Sequence, residues 1–340
     1  MVDKFIEDQT NKVPIDTNIE GKTGEIDFNT LKSGGLIKQR QKDMFTVRLR
    51  CPGGRVPLSK LEKIVQVAKK YAGDYVHLSF RQSIELPYVD YRNFKSVYEE
   101  LADSDQKIAS CGPRVRVPTA CSGCEYNPNG LMDTQKMAKL MDEKFFGYEL
   151  PHKFKISFSG CPMDCARTSE MDLGFQGAVK PQWDELTCIG CRICSKACME
   201  GAIESDPETG KPKYFPEKCL YCGDCIRACP TNSWQERTKG WIVRVGGRHG
   251  RHPIVGHKIA EFIADEDVPR FINTIINWYK INGKDYGRTR IGVILQIPKR
   301  WNIFVETLRN ELGDKIIDNP KPPAKNEIHF DTRGLIDEHR

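Results

Sequence analysis

The sequence predicts an α+β chain of two or three domains, and three observations support this. Short strand-like and helix-like stretches alternate through most of the chain. A length of 340 residues exceeds what one core ordinarily supports. Fourteen cysteines gather in short motifs, which argues for metal or redox chemistry over a disulfide scaffold. The composition, 39% hydrophobic and 29% charged, excludes a disordered chain. Apolar runs such as Ile291–Ile297 fall far short of the ~20 residues of a membrane span. The charged start Met1–Asp8 lacks the apolar centre of a signal peptide, so the expected location is cytoplasmic. A net charge of +6 favours anionic ligands, while the absence of a basic tract speaks against nucleic acid.

Residues 1–35 read as an extension. Val47–Gly54 reads as a strand ending in a Pro-Gly-Gly turn. Ser59 is placed to cap a helix carrying Leu61, Ile64, Val65, Ala68 and Tyr71 on one face. A strand at Tyr75–Phe80 and a helix at Tyr91–Leu101 complete a small α/β unit over 36–104. A second region covers 105–180, with a helix near Thr134–Glu143 and a strand near Phe154–Phe158. It resumes over 237–318 with a strand at Trp241–Val245 and a helix at Asp265–Tyr279 whose apolar face carries Val268, Phe271, Ile272 and Ile275. A strand at Ile291–Ile297 and a helix from Trp301 to Leu312, stopped by Gly313, follow. Residues 181–236 interrupt this region, and 319–340 form a charged tail.

The interruption carries Cys188-x2-Cys191-x2-Cys194-x3-Cys198 and, later, Cys219-x2-Cys222-x2-Cys225-x3-Cys229-Pro230. This duplicated run resembles the bacterial two-cluster ferredoxin, in which three cysteines of one run and the fourth of the other hold each 4Fe–4S cube. The resemblance implies one cube on Cys188, Cys191, Cys194 and Cys229, and another on Cys219, Cys222, Cys225 and Cys198. Met199 stands where proline usually follows, which loosens a turn but removes no ligand. Zinc is the alternative, although zinc knuckles do not use three cysteines two apart. Such cubes transfer electrons singly.

Arg48 and Arg50 are two apart on a predicted strand and so share a face, as do Lys153 and Lys155. Arg81 ends another strand, and Arg116 precedes Cys121-Ser-Gly-Cys124. Singly, each would pass as a solvated charge.

Taken in order, Arg50-Cys-Pro-Gly-Gly54, Phe80-Arg-Gln82, Arg116, Lys153-Phe-Lys155 and Cys161-x3-Cys165 resemble the siroheme sulfite and nitrite reductases. Val245-Gly-Gly-Arg-His-Gly-Arg-His-Pro253 after a ferredoxin insertion is similar to the C-type chains of anaerobic sulfite reductase. The resemblance implies siroheme sulfite/nitrite reductase-like α/β domains, of which 36–104 is the ferredoxin-like half-domain. It also implies a siroheme bridged through Cys165 to a third 4Fe–4S cube that Cys161 and Cys121 also hold. Arg50, Arg116, Lys153 and Lys155 match the basic residues around the bound anion; Arg81 matches one near the cofactor carboxylates, with Arg48, Arg248 and Arg251 as further cofactor contacts. A multiply carboxylated macrocycle needs such cations, and an anion losing oxygen as water needs donors around it.

The chain departs from the pattern at Asn127, where the family has cysteine; Cys124 is the candidate replacement. A degenerate site or a zinc site on the same thiols stays open. Cys51 and Cys111 read as inert thiols, and His152 as a candidate proton donor. The expected activity is the six-electron reduction of sulfite to sulfide as a catalytic subunit. Nitrite reduction and a non-catalytic electron relay are the alternatives. No Gly-rich dinucleotide fingerprint follows a strand, so a flavoprotein subunit or a ferredoxin should supply electrons, within a homo- or hetero-oligomer.

Overall fold

The computed structural model describes residues 28–325, so the charged start and most of the predicted tail lie outside the described residues. The first unit comprises α1 (Phe28–Ser33), β1 (Leu36–Lys38), β2 (Met44–Arg48), α2 (Leu58–Tyr71), β3 (His77–Leu78), β4 (Ile84–Asp90) and α3 (Phe94–Ala102). Its antiparallel sheet runs in the order β1-β2-β4-β3. Alternation puts Phe45 and Val47 of β2 inward, where they share one core with Ile64 and Val67 of α2 and Val97 and Leu101 of α3. Phe45 meets Phe94 edge-on at 5.0 Å.

Two expectations need correction here. The strand read over Tyr75–Phe80 shrinks to His77–Leu78, and the longer β4 behind it has no counterpart in the sequence reading. Pro87 and a left-handed Tyr88 (φ 60°) break its alternation, which hides it from a period-2 pattern. Ser59 caps nothing: α2 starts at Leu58 behind Pro57, whose fixed φ presets the entry without a side-chain bond.

The second unit adds β5 (Thr119–Ala120), α4 (Thr134–Phe145), β6 (Ile156–Ser159) and β7 (Leu173–Trp183). Then come α5 (Ile193–Ala197), β8 (Ile203–Ser205), β9 (Pro212–Tyr214) and α6 (Asp224–Ala228) of the cysteine-rich segment. The chain returns through β10 (Trp234–Val245), β11 (Ile254–Val255) and β12 (His257–Ile263). It closes with α7 (Val268–Asn282), α8 (Ile291–Leu295), α9 (Pro298–Leu312) and β13 (Ala324–Lys325). The main sheet has the order β12-β10-β7-β6-β5, parallel over β5, β6 and β7 and antiparallel beyond. Phe158 and Phe175 stack at its centre and Trp241 meets both edge-on, with ring centroids 5.0 to 6.4 Å apart.

β7 and β10 pair from Leu173↔Val245 to Trp183↔Trp234, so the cysteine-rich segment leaves from the tip of a long hairpin. Within that segment each three-cysteine loop ends in a short helix entered from a left-handed residue, Arg192 (φ 65°) or Gly223 (φ 79°). The duplication in sequence is thus a duplication in backbone.

Ile291–Ile297 is not a strand. An all-apolar run fits a buried helix as well as a buried strand, and here it forms α8, with Pro298 starting α9 directly after. A Cβ on Gly292 would lie 1.9 Å from the Gly246 carbonyl oxygen, so only glycine lets α8 press against the end of β10.

Candidate functional site

Five chain segments bring cations together. Arg48 closes β2. Arg81 sits at the tip of the β3–β4 hairpin, and Gln82 beside it pins that tip to β5 by two hydrogen bonds with the Ala120 backbone, at 2.7 and 2.9 Å. Arg116 is bridged to the Lys153–Lys155 segment, since its N–H donates to the Phe154 carbonyl at 2.9 Å. Phe154 is fully buried while Lys153 and Lys155 on either side are not, so the two ammonium groups share a face as expected. Arg290 at the start of α8 completes the group; sequence reasoning missed it because the run behind it reads as a strand.

Burial, then Arg116 and Arg48, lowers Arg81 to about 9. Burial, then Arg81 and Arg290, brings Lys155 down to about 8, with Asp172 opposing. Lys153 is lowered by burial and by Arg290 and Arg116. Neither ammonium has a hydrogen-bond or ion-pair partner among the described residues. Arg116 donates to the Ser110 and Gly112 carbonyls at 3.1 and 3.0 Å, but its Nε is buried without a partner. Two carboxylates answer these cations. Asp172 pairs with Arg290 at 2.5 Å. Glu85, which burial pushes up, is held low by hydrogen bonds from His77 and Arg48. The remaining excess of buried positive charge is what an anion site requires.

The thiols form three groups. Cys161 is buried and pushed up by that burial, with Cys121 and Cys165 adding to it. The Gly160 and Gly123 amides donate to Cys121 Sγ at 3.1 and 3.3 Å, the N–H···S pattern that tunes cluster ligands. Cys124 is exposed, and the Asn127 side chain accepts from the Asn129 amide, holding a turn. Cys188, Cys191, Cys194 and Cys229 line one hollow. Cys198, Cys219, Cys222 and Cys225 line another, which Cys161 and Met163 also border. Burial and mutual repulsion push Cys225 up to about 12, a cost that a cationic centre relieves. Among the described residues no three Cys, His, Asp or Glu side chains close on a single-ion site.

Not every candidate joins the cationic group. Arg50 turns away, because β2 ends at Arg48 and the chain bends into Pro52–Gly54. Its Nε meets Asp142 at 2.7 Å and its guanidinium lies 3.8 Å over the Phe146 ring. Arg248 lies in a bridge with Ile254 and Arg251 on the exposed turn between, and neither is among the leading charges on Arg81, Lys153 or Lys155. Burial and Lys153 lower His152 to about 4, so its ring is neutral at pH 7 and does not serve as the cationic acid. Cys111, read as inert, accepts from Arg48 Nη1 at 3.0 Å. Arg244 on β10, bonded to Gln176 at 3.1 Å, also escapes the sequence reading; a lone cation between apolar strand neighbours was the available signal.

Comparison with known proteins agrees with this fold. The family description "Nitrite and sulphite reductase 4Fe-4S domain" matches residues 111–313, and "Nitrite/Sulfite reductase ferredoxin-like half domain" matches 37–104. The C component of the anaerobic sulfite reductase of Salmonella typhimurium is 30% identical over 269 residues, covering 74% of this chain and 78% of that protein. The coenzyme F420-dependent sulfite reductase of Methanocaldococcus jannaschii is 30% identical over 263 residues, 77% of this chain; the match spans only 42% of that protein's length. The crystal structure of dissimilatory sulfite reductase I superposes with a TM-score of 0.65 at 20% identity, covering 82% of this chain and 72% of that one, which supports the fold. No helix among the described residues is long and apolar enough to cross a membrane.

Proposed function

The chain belongs to the nitrite and sulphite reductase family, and from that premise we propose that it is the catalytic subunit of a sulfite reductase, holding siroheme, a coupled 4Fe–4S cube and two ferredoxin-type cubes. The observation that carries this reading is the buried cation excess of Arg48, Arg81, Arg116, Lys153, Lys155 and Arg290, in the same unit whose strands β5 and β6 run on into the Cys121 and Cys161 turns. The residues fit the cofactors: an orphaned Arg116 Nε and two unpaired ammonium groups suit carboxylates and an oxyanion, and each of the two ferredoxin-type four-thiol sets lines its own hollow.

Siroheme coupled to a cube would supply an iron for the anion and pass on, one at a time, the electrons drawn from the donor partner. Cys165 would bridge the two, with Cys121 and Cys161 as cube ligands and exposed Cys124 as the candidate fourth. Lys153 and Lys155 hold protons over the anion's oxygens; an acidity of about 8 leaves Lys155 mostly charged near neutral pH and able to give its proton up. Arg116 is locked by two carbonyls and so orients without proton transfer. The Cys198, Cys219, Cys222 and Cys225 set borders the Cys161 loop. It is therefore the nearer relay, and the Cys188 set is the entry for electrons from a partner flavoprotein or ferredoxin.

Nitrite is an equal rival as substrate on this geometry. A non-catalytic relay gains support only from exposed Cys124 and the Asn127 substitution. Anaerobic purification with a visible spectrum and an iron assay tests the reading. A siroheme band with about 13 irons per chain is expected, four for each cube and one for the haem; about eight irons and no haem band leave only the relay.

A further inference from the structure

The group contains a buried ion pair that the anion site does not need for contact. Asp172 is fully buried and Arg290 is 5% exposed. Arg290 Nε and Nη2 meet the two Asp172 oxygens at 2.7 and 2.5 Å, a fork-to-fork pair. The same carboxylate accepts the backbone N–H of Lys155 at 2.7 Å. The Asp172 carbonyl accepts from Gly246 at the end of β10, and α8, which Arg290 starts, presses on that same Gly246. Arg290 thus reaches the site from 118 positions away, across the whole cysteine-rich segment.

A pair buried this deeply is rarely kept for stability, because well-packed apolar residues do as well or better. We propose that Asp172 and Arg290 form a positioning pair: the carboxylate fixes the Lys155 backbone, and the guanidinium sets the positive field in which the Lys155 ammonium works. The proposal rests on the reading of Lys155 as an anion-site residue.

The charged groups that act on Lys155 are Arg81, Arg290, Asp172 and Lys153, and burial acts in the same direction as the cations. Arg290 weighs more than Asp172 among them. Removing Arg290 relieves repulsion and leaves Asp172 attracting Lys155, so the ammonium should hold its proton to higher pH. Neutralising Asp172 leaves Arg290 uncompensated, so the proton should leave earlier. The two single variants must therefore move Lys155 in opposite directions. A scaffold role predicts no such opposition.

The test is the pH dependence of Lys155 acetylation by trace acetic anhydride on the purified full chain, read by mass spectrometry of the Lys155 peptide. The wild-type midpoint should lie near pH 8. Arg290→Met should raise it, and Asp172→Asn lower it, by about half a pH unit or more. Arg290→Lys, which keeps the charge, should stay within about 0.3 of wild type. Midpoints that do not move, or that move the same way in both single variants, overturn the proposal. If a single variant unfolds, Asp172→Asn/Arg290→Met decides, since it leaves neither charge unpaired. Its midpoint should rise because the stronger, cationic member is gone, and an unchanged or lowered midpoint overturns the proposal. Acetylation needs neither sulfite nor siroheme, so opposite shifts in a chain without sulfite turnover uphold the pair and sink only the functional reading.

Discussion

Arg50→Met should unfold the protein more than it disarms it. The Arg50 side chain is 14% exposed and that of Asp142 is 4% exposed. Besides the 2.7 Å contact, Nη2 of Arg50 donates to the Asp142 carbonyl at 2.9 Å, and Asp142 Oδ1 is already buried without a partner. Burial carries Asp142 up to about 6 even though Arg50 pulls it down, so desolvation outweighs the pairing. Deleting one member of such a pair costs about 3–5 kcal/mol, because the other is left buried and unpaired. That corresponds to roughly 4–7 °C in Tm for a chain of this size. Replacing both, as in Arg50→Met/Asp142→Leu, should recover most of the loss, since it removes the desolvation along with the attraction. Calorimetry of the wild type, both single variants and the double variant, alongside sulfite reduction per siroheme, separates the two roles. If Arg50→Met melts with the wild type while turnover per siroheme falls by orders of magnitude, Arg50 reaches the anion and its placement on Asp142 is wrong.

Lys155→Ala should cut turnover far more than siroheme content, by about two to three orders of magnitude for one preorganised donor; equal losses would make it a cofactor anchor. In the wild type, kcat/KM should fall about tenfold per pH unit above pH 8, because a cation of lowered pKa is active below that value and spent above it. A profile flat to pH 10 would remove Lys155 as the acid. Cys165→Ser should abolish turnover while leaving the electron-paramagnetic signals of the ferredoxin-type cubes intact, and normal sulfite reduction would end its bridging role. Gly160→Ala places a Cβ 2.8 Å from Gly123 Cα, forcing apart the Cys121 and Cys161 turns. It should lower the iron content by about four per chain, with retention of full iron counting against a cube held between those turns.

What could be read in the sequence, and what could not, divides by the range of the interaction involved. The cysteine sets are local: spacing dictates which three thiols share a loop, and each set lines its own hollow as the ferredoxin likeness implies. Lys153 and Lys155 are legible for the same reason, because one buried Phe154 between them settles their face. Arg48 and Arg50 obey the same rule on paper. It fails because Cys51-Pro52-Gly53 turns the chain just past Arg48, sending Arg50 to α4 and Arg48 to Cys111 and Glu85. The rule of alternation holds only while the strand does, and the strand's end was the part that composition could not locate.

Arg290 and Asp172 mark the other limit. Nothing within ten residues of either announces the partner, since their pairing is made by β7 and α8 meeting across the hairpin whose tip carries the cysteine-rich segment. The error over Ile291–Ile297 follows from the same gap. A run buried on every side carries no periodic signal, and the element type is decided by Gly292 against Gly246, a contact of 46 residues' separation. The cation group is thus assembled from both sides of the cysteine-rich segment, Arg81, Arg116 and Lys155 before it and Arg290 after it. A cleavage or deletion confined to 184–233 should therefore spare the sheet pairing of β7 with β10 yet stop electrons from reaching an otherwise complete cation group.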